Sequence, residues 1–160
     1  MPNQVDMEAA LKSFQQAYSK GYIAPTRCKL RPDLWVLRDD ANGDSRLTFT
    51  QIDDKGTVRA LVSLLPAEPY EGKPCFALAY AVAEKFRGIG LAQEIVESSI
   101  VELHNGLKQQ VPQFYIEVVV DKLNTASNRV AAKVISSNPV EITDQFSGDP
   151  ALQYFRLVGK

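Results

Sequence analysis

The chain has 160 residues, 45% hydrophobic and 23% charged, and its 18 Lys plus Arg against 19 Asp plus Glu leave a net charge of −1. That length and apolar content suffice for one buried core, which excludes a disordered chain. The near-neutral balance offers no basic surplus for a phosphate backbone, so nucleic-acid binding has no electrostatic support.

Cys28 and Cys75 lie far apart with no CxxC spacing, and His104 is the only histidine, which speaks against a built-in zinc site. The opening run Met1-Pro2-Asn3-Gln4-Val5-Asp6 lacks the basic-then-apolar order of a secretory leader, and no apolar run nears the ~18 residues of a membrane span. A cytoplasmic protein with reduced thiols is expected.

Met7, Leu11, Phe14 and Tyr18 recur at helical spacing between a cap at Asp6 and a stop at Gly21, predicting a first helix with one buried stripe. Residues 22–32 read as a loop because Pro25 and Pro32 interrupt them, and Arg27, Lys29 and Arg31 make that loop basic. Residues 34–38 form a short strand, followed by the turn-rich segment 39–45. Two strands, 46–52 and 57–65, are joined by Asp53-Asp54-Lys55-Gly56, hairpin chemistry because Asp and Gly accept positive φ. Pro66, Pro69, Glu71, Gly72 and Pro74 mark a loop before a fourth strand at 76–83.

Leu91, Ile95, Ser99, Leu103 and Leu107 fall every fourth position and predict a long amphipathic helix to about residue 109. Residues 114–120 are a fifth strand, and the run Val118-Val119-Val120 points to burial on both faces. Asn124-Thr125 caps a helix running to about Ile135, stopped by Asn138-Pro139. Strands at 140–146 and 152–158 flank the hairpin signal Ser147-Gly148-Asp149-Pro150. The order predicts one mixed α/β domain over 1–160, with an N-terminal helix and loop at 1–33.

Between the fourth strand and the long helix stands Arg87-Gly88-Ile89-Gly90-Leu91-Ala92. A strand entering a helix through such a turn leaves N–H groups unpaired at the positive end of the helix dipole, a seat for an anion. Glycine lets the backbone approach without a Cβ in the way, and Arg87 can add a charged donor; the same glycines also suit a plain tight turn. A Rossmann fingerprint needs glycine where Gln93 stands, and a Walker loop needs Gly-Lys-Ser/Thr where Gly90 is followed by Leu91-Ala92. With neither a P-loop lysine nor a metal site, the turn suits a diphosphate that is gripped and not hydrolysed, as in coenzyme A.

The run Tyr80-Ala81-Val82-Ala83-Glu84-Lys85-Phe86-Arg87-Gly88-Ile89-Gly90-Leu91-Ala92 resembles the acyl-CoA-binding motif of the GNAT superfamily of N-acyltransferases. That motif, Gln/Arg-x-x-Gly-x-Gly/Ala, is matched by Arg87, Gly90 and Ala92. Asn124-Thr125-Ala126-Ser127 follows at the spacing of the family's next motif, an Asn-x-x-Ser stretch leading a helix that here contains Lys133. The likeness covers about residues 76–135, read as the acyl-CoA-binding core of a single GNAT-like domain.

The resemblance implies a central, mostly antiparallel sheet of about six to seven strands, flanked by helices and splayed between the fourth and fifth. The pantetheine arm of acetyl-CoA then lies in the gap like an extra strand. Backbone groups around Ala81, Val82 and Ala83 pair with the arm, and N–H groups of Arg87, Gly88, Ile89, Gly90, Leu91 and Ala92 hold the pyrophosphate. Asn124 faces the same cofactor and also reads as a plain helix cap.

The implied activity is transfer of an acetyl group from acetyl-CoA to an amine of a small molecule or a protein. An amine with pKa near ~10 must shed a proton before it attacks, so a base is needed. Glu117, within a strand, is the candidate over the loop residues Glu68, Glu71 and Glu84, and it also reads as a solvated carboxylate. The backbone N–H of Val82 is the candidate oxyanion donor.

Where the family supplies a tyrosine to protonate the departing thiolate, this chain has Ala131, and Tyr80, Tyr115 and Tyr154 are the possible substitutes from strands. That departure keeps an alternative open, an acyl-CoA-binding sensor or interaction module of the same fold without transfer. A helix also stands where the family opens with a strand, so the acceptor is not carried over. The basic stretch 20–38 suits an anionic acceptor, the cofactor's ribose phosphate, or simply solvent. The expected partners are acyl-CoA and an amine, with no membrane and no metal, and both monomer and homodimer stay open.

Overall fold

The computed structural model describes residues 6–159; residues 1–5, on which most of the leader reading falls, and residue 160 lie outside the described residues. The Asp6 carboxylate accepts from the N–H groups of Glu8 (3.1 Å) and Ala9 (3.2 Å) and so starts α1 (Met7–Ser19). Gln15 ties this helix to the sheet: its Nε2 donates to the Gly56 carbonyl (3.0 Å) and its Oε1 accepts from Val58 N–H (2.7 Å).

Among the described residues one sheet of eight strands follows: β1 (Thr26–Arg27), β2 (Leu34–Ala41), β3 (Asp44–Ile52), β4 (Val58–Tyr70), β5 (Lys73–Val82), β6 (Gln113–Asp121), β7 (Val140–Thr143) and β8 (Pro150–Gly159). The order is β1-β2-β3-β4-β5-β6-β8-β7, antiparallel except between β5 and β6. Helices α2 (Leu91–Leu107) and α3 (Thr125–Val134) complete the fold. This is the mixed, mostly antiparallel architecture expected. The additional strand is β1, two residues within the basic loop, and it shifts the splayed pair to β5 and β6.

Several boundaries differ from expectation for identifiable reasons. Segment 39–45 is a hairpin: β2 and β3 run on to meet at Asn42 (φ 55) and Gly43 (φ 92), a two-residue turn with both central residues at positive φ. The proline-rich segment is not a loop, because β4 continues to Tyr70 and turns through Glu71-Gly72. Pro66 is tolerated since it lies beyond Leu47↔Leu64, where the β3 ladder has ended. Burial along β6 alternates, so Val118 and Val120 are buried but Val119 is 41% exposed, against the expectation of burial on both faces. β7 stops at Thr143, and residues 144–149 form the connection to β8.

The period-2 alternation sorts the core onto two faces. On one, Val62, Leu78, Phe114 and Ile116 pack with Ile95, Val96 and Ile100 of α2 and Ala131 of α3. On the other, Leu61 and Ile52 pack with Leu11 and Phe14 of α1. The loop between β1 and β2 is fastened onto α2: buried Glu102 accepts from Leu30 N–H (3.0 Å) and Arg31 N–H (2.7 Å), and Arg31 pairs with Asp33 and Glu94. Arg27 lies over the Trp35 ring at 4.6 Å. Arg31 and Arg27, two of the basic stretch's cations, therefore have partners within the fold.

Candidate active site

The parallel ladder between β5 and β6 has three rungs, Cys75↔Tyr115, Phe76↔Ile116 and Ala77↔Glu117, and beyond them the strands diverge. On its other edge β5 stays paired to β4 up to Ala60↔Val82, and Ala83 N–H donates to the Arg59 carbonyl (2.8 Å). In an antiparallel ladder the bonding direction alternates. The main-chain groups of Ala81 and Ala83 therefore turn toward β4, while those of Tyr80 and Val82 turn toward the gap. This corrects the expectation for Ala81 and Ala83: they are spent on the sheet, and Tyr80 takes their place as a residue whose backbone faces the opening.

At the wide end of the gap, a 3₁₀ turn (Glu84–Phe86) leads into Gly88 (φ 81) and Gly90 (φ 80), the latter the N-cap of α2. A Cβ at either glycine would meet no atom within 4 Å, so the turn opens onto free space. Ile89 is 69% exposed, and Leu91 anchors the helix start in the core. Among the described residues no hydrogen bond takes up the N–H groups of Gly88, Gly90, Leu91 or Ala92; the first helical bond is Glu94 N–H to the Gly90 carbonyl (3.2 Å).

Arg87 does not stand free at this turn. Its Nε donates to the Val82 carbonyl (3.0 Å) and its Nη2 pairs with Glu8 (3.3 Å), bracing the turn against β5 and α1. An unpaired amide cradle beside a strand gap suits a diphosphate carrier with an amide-bearing arm, and so fits coenzyme A.

The gap opens into a cleft of about 1010 Å³ between α1 and the exposed sheet face. Glu117 lines it beside the last rung and accepts from Gln153 Nε2 (2.6 Å). Asn124 lines it too and caps α3 by accepting from Ser127 N–H (3.1 Å). Ala77 and Ala79 keep the floor low, and Met7, Ala10 and Ser13 of α1 form a wall.

Of the three tyrosines weighed as proton donors, Tyr80 is the one that lines the cleft. Its hydroxyl donates to the Ser127 carbonyl (3.4 Å), and burial raises its pKa above the ordinary phenol value. Tyr154 is buried, with its hydroxyl on Asn128 Oδ1 (2.7 Å). Tyr115 belongs to an aromatic cluster with Tyr70 and Phe155.

Sequence reasoning missed the α1 wall, Gln153, and an ion pair at the far end of the cleft. There Arg46 donates to Asp39 through Nε (3.0 Å) and Nη2 (2.6 Å). The signal for that pair was present: an Asn-Gly turn at 42–43 fixes a hairpin register in which Asp39 faces Arg46.

A mostly antiparallel sheet that splays at its one parallel junction, with a glycine turn at the mouth, is the fold of the GNAT acetyltransferases. No family model matches the chain, and no curated protein matches it. Among solved structures, a GNAT-family acetyltransferase from Streptococcus pneumoniae is 14% identical with a TM-score of 0.54, covering 71% of this chain and 67% of that one. A spermidine N-acetyltransferase chimera of Vibrio cholerae and hSSAT is 14% identical with a TM-score of 0.51, covering 70% and 66%. The chain thus spans about two thirds of these structures, and at such identities the likeness is one of fold.

Proposed function

We propose that the chain is an acyl-CoA-dependent N-acyltransferase whose amine acceptor lies in the cleft between α1 and the sheet. The observation that supports this best is the β5–β6 ladder ending at Ala77↔Glu117 next to a turn with unpaired amides. Bound acetyl-CoA supplies an acyl thioester. The N–H groups of Gly88, Ile89, Gly90, Leu91 and Ala92 hold its pyrophosphate, that of Arg87 being already on the Glu84 carbonyl (3.4 Å); the Tyr80 carbonyl and the Val82 N–H pair with its arm, and Asn124 stands alongside.

Glu117 as base and Val82 as oxyanion donor do not combine. Val82 lies five positions beyond Ala77, the rung partner of Glu117, which is about 16 Å along a strand. Tyr80 N–H is the nearer gap-facing amide beyond the last rung, so it takes the oxyanion role and Val82 keeps the arm. Glu117 accepts the proton of the amine; the nitrogen forms a C–N bond to the acyl carbon as the C–S bond breaks. The thiolate then takes a proton from the Tyr80 hydroxyl, which its raised pKa keeps protonated.

Acetyl-CoA is expected to raise the melting temperature, and thiol release to follow addition of an amine. Glu117→Gln is expected to lower kcat by about 10²–10⁴ with CoA affinity retained. No stabilisation at millimolar acetyl-CoA would remove the proposal. Ala131, 1% exposed where the resemblance places a tyrosine, favours a second reading, a sensor that binds acyl-CoA without transfer. Its mark is stabilisation by acetyl-CoA with no thiol release from any amine.

A further inference from the structure

The strand register places five cleft residues in one row across the α1 face. Asp39 is opposite Arg46; Arg46 and Leu65 each lie one residue past the last β3–β4 rung, Leu47↔Leu64; Leu65 pairs with Ala77, and Ala77 with Glu117. Each of the five lines the cleft. At ~4.8 Å per strand, Arg46 and Glu117 lie about 14 Å apart at their Cα atoms, with only Leu65 and Ala77 between them.

Charge is distributed unevenly along this row. Among the described lining residues Arg46 is the one cation, paired with Asp39 at the β2–β3 end, whereas the carboxylates Glu117, Asp121 and Asp144 stand on the β6–β8 side. Asp39 holds Arg46 by Nε and Nη2, which fixes the guanidinium plane and leaves Nη1 with no hydrogen bond among the described residues.

We infer that the acceptor is an amine on an aliphatic chain ending in a carboxylate, its ammonium at Glu117 and its carboxylate on Arg46. This rests on the acyl-transfer reading above and narrows it. A diamine of the same length would bring its second cation against the free Nη1 edge of Arg46, the Asp39 carboxylate being already engaged by Nε and Nη2. An uncharged tail would desolvate the free edge of the guanidinium without giving it a partner, a loss that makes such sites discriminate strongly. The apolar floor of Leu65 and Ala77 suits the methylene chain.

The test is thiol release from acetyl-CoA with 6-aminohexanoate, hexylamine and 1,6-diaminohexane as acceptors. The amino acid is expected to exceed both others in kcat/KM by about tenfold or more. Arg46→Met is expected to bring the ratio of 6-aminohexanoate to hexylamine near one, and Arg46→Lys to restore part of it. Because the ratio is taken within each variant, a general loss of stability does not imitate the effect. Turnover with no carboxylate preference, a preference for the diamine, or a ratio unmoved in Arg46→Met would overturn the inference alone. Absence of turnover with every amine, in protein stabilised by acetyl-CoA, would remove it together with the acyl-transfer reading.

Discussion

Gly90 allows the proposed pyrophosphate seat to be tested by charge, with fold held constant. Gly90→Gln and Gly90→Glu share a shape and share the cost of a side chain at φ 80, about 1–2 kcal/mol, and neither Cβ meets an atom within 4 Å. In the free protein a carboxylate at the N-cap of α2 interacts favourably with the helix dipole by about 0.3–1 kcal/mol. The Glu variant should therefore melt roughly 1–3 °C above the Gln variant.

With ligand the sign reverses. A carboxylate about 5 Å from a phosphate charge at an effective dielectric near ~20 is repelled by about 3 kcal/mol. Halving that for solvent exposure leaves roughly 1.5–2 kcal/mol, a loss of about 10- to 30-fold in CoA affinity. Isothermal titration at low and high salt, beside melting curves of the free variants, reads both signs, and the affinity difference should shrink as salt screens it. Equal CoA affinity for the two variants within about twofold would refute the location of the diphosphate.

Glu102→Ala leaves the Leu30 and Arg31 N–H groups without their acceptor and should cost about 2–4 kcal/mol in urea denaturation. Tyr80→Phe should lower kcat by about 10²-fold while CoA affinity is retained, and an unchanged kcat would deny Tyr80 the proton-donor role. Burial raises Cys75 to about 11 and Cys28 to about 12, against 9.0 for a free thiol, so at pH 8 neither should react with Ellman's reagent in the folded protein. Because the folded values are the higher ones, the unfolded chain loses these protons first. Stability from the two thiols is then full below pH 9 and declines as pH rises toward 11–12, as alkaline denaturation curves of the parent and the Cys28→Ala variant should show.

How much of this was legible in the sequence depended on whether a signal was local. The helix start at Asp6, the α2 stripe and the Asn124 cap were readable because capping and 3.6-residue periodicity are properties of short segments. The glycine turn was readable for the same reason. Pro66 misled because its exclusion from strands applies only where a neighbour needs its N–H, and that neighbour ends at Leu47↔Leu64, a fact of tertiary register. Val119 misled because its run of valines is ordinarily buried on both sides, whereas here one side faces the cleft. The row from Asp39 to Glu117 gathers residues from five strands, and no short-range pattern encodes it.

The gap persists because β6 is held from its other edge. Its ladder to β8 runs from Gln113↔Gly159 to Asp121↔Ala151, and Phe114, Ile116, Val118 and Val120 are buried, so three rungs to β5 suffice. On the proposed reading, the Tyr80 carbonyl and the Val82 N–H exchange water for an arm's amides at a net gain of only about 0.5–1.5 kcal/mol per bond. A few such bonds orient a carrier without binding it tightly. Charge-assisted bonds to backbone amides are roughly twice as strong, and at the glycine turn the helix dipole adds to them. The proposed binding mode therefore concentrates affinity at Gly88 to Ala92 and orientation in the gap, which is why a charge placed at Gly90 should weaken binding while a substitution at Tyr80 should slow turnover.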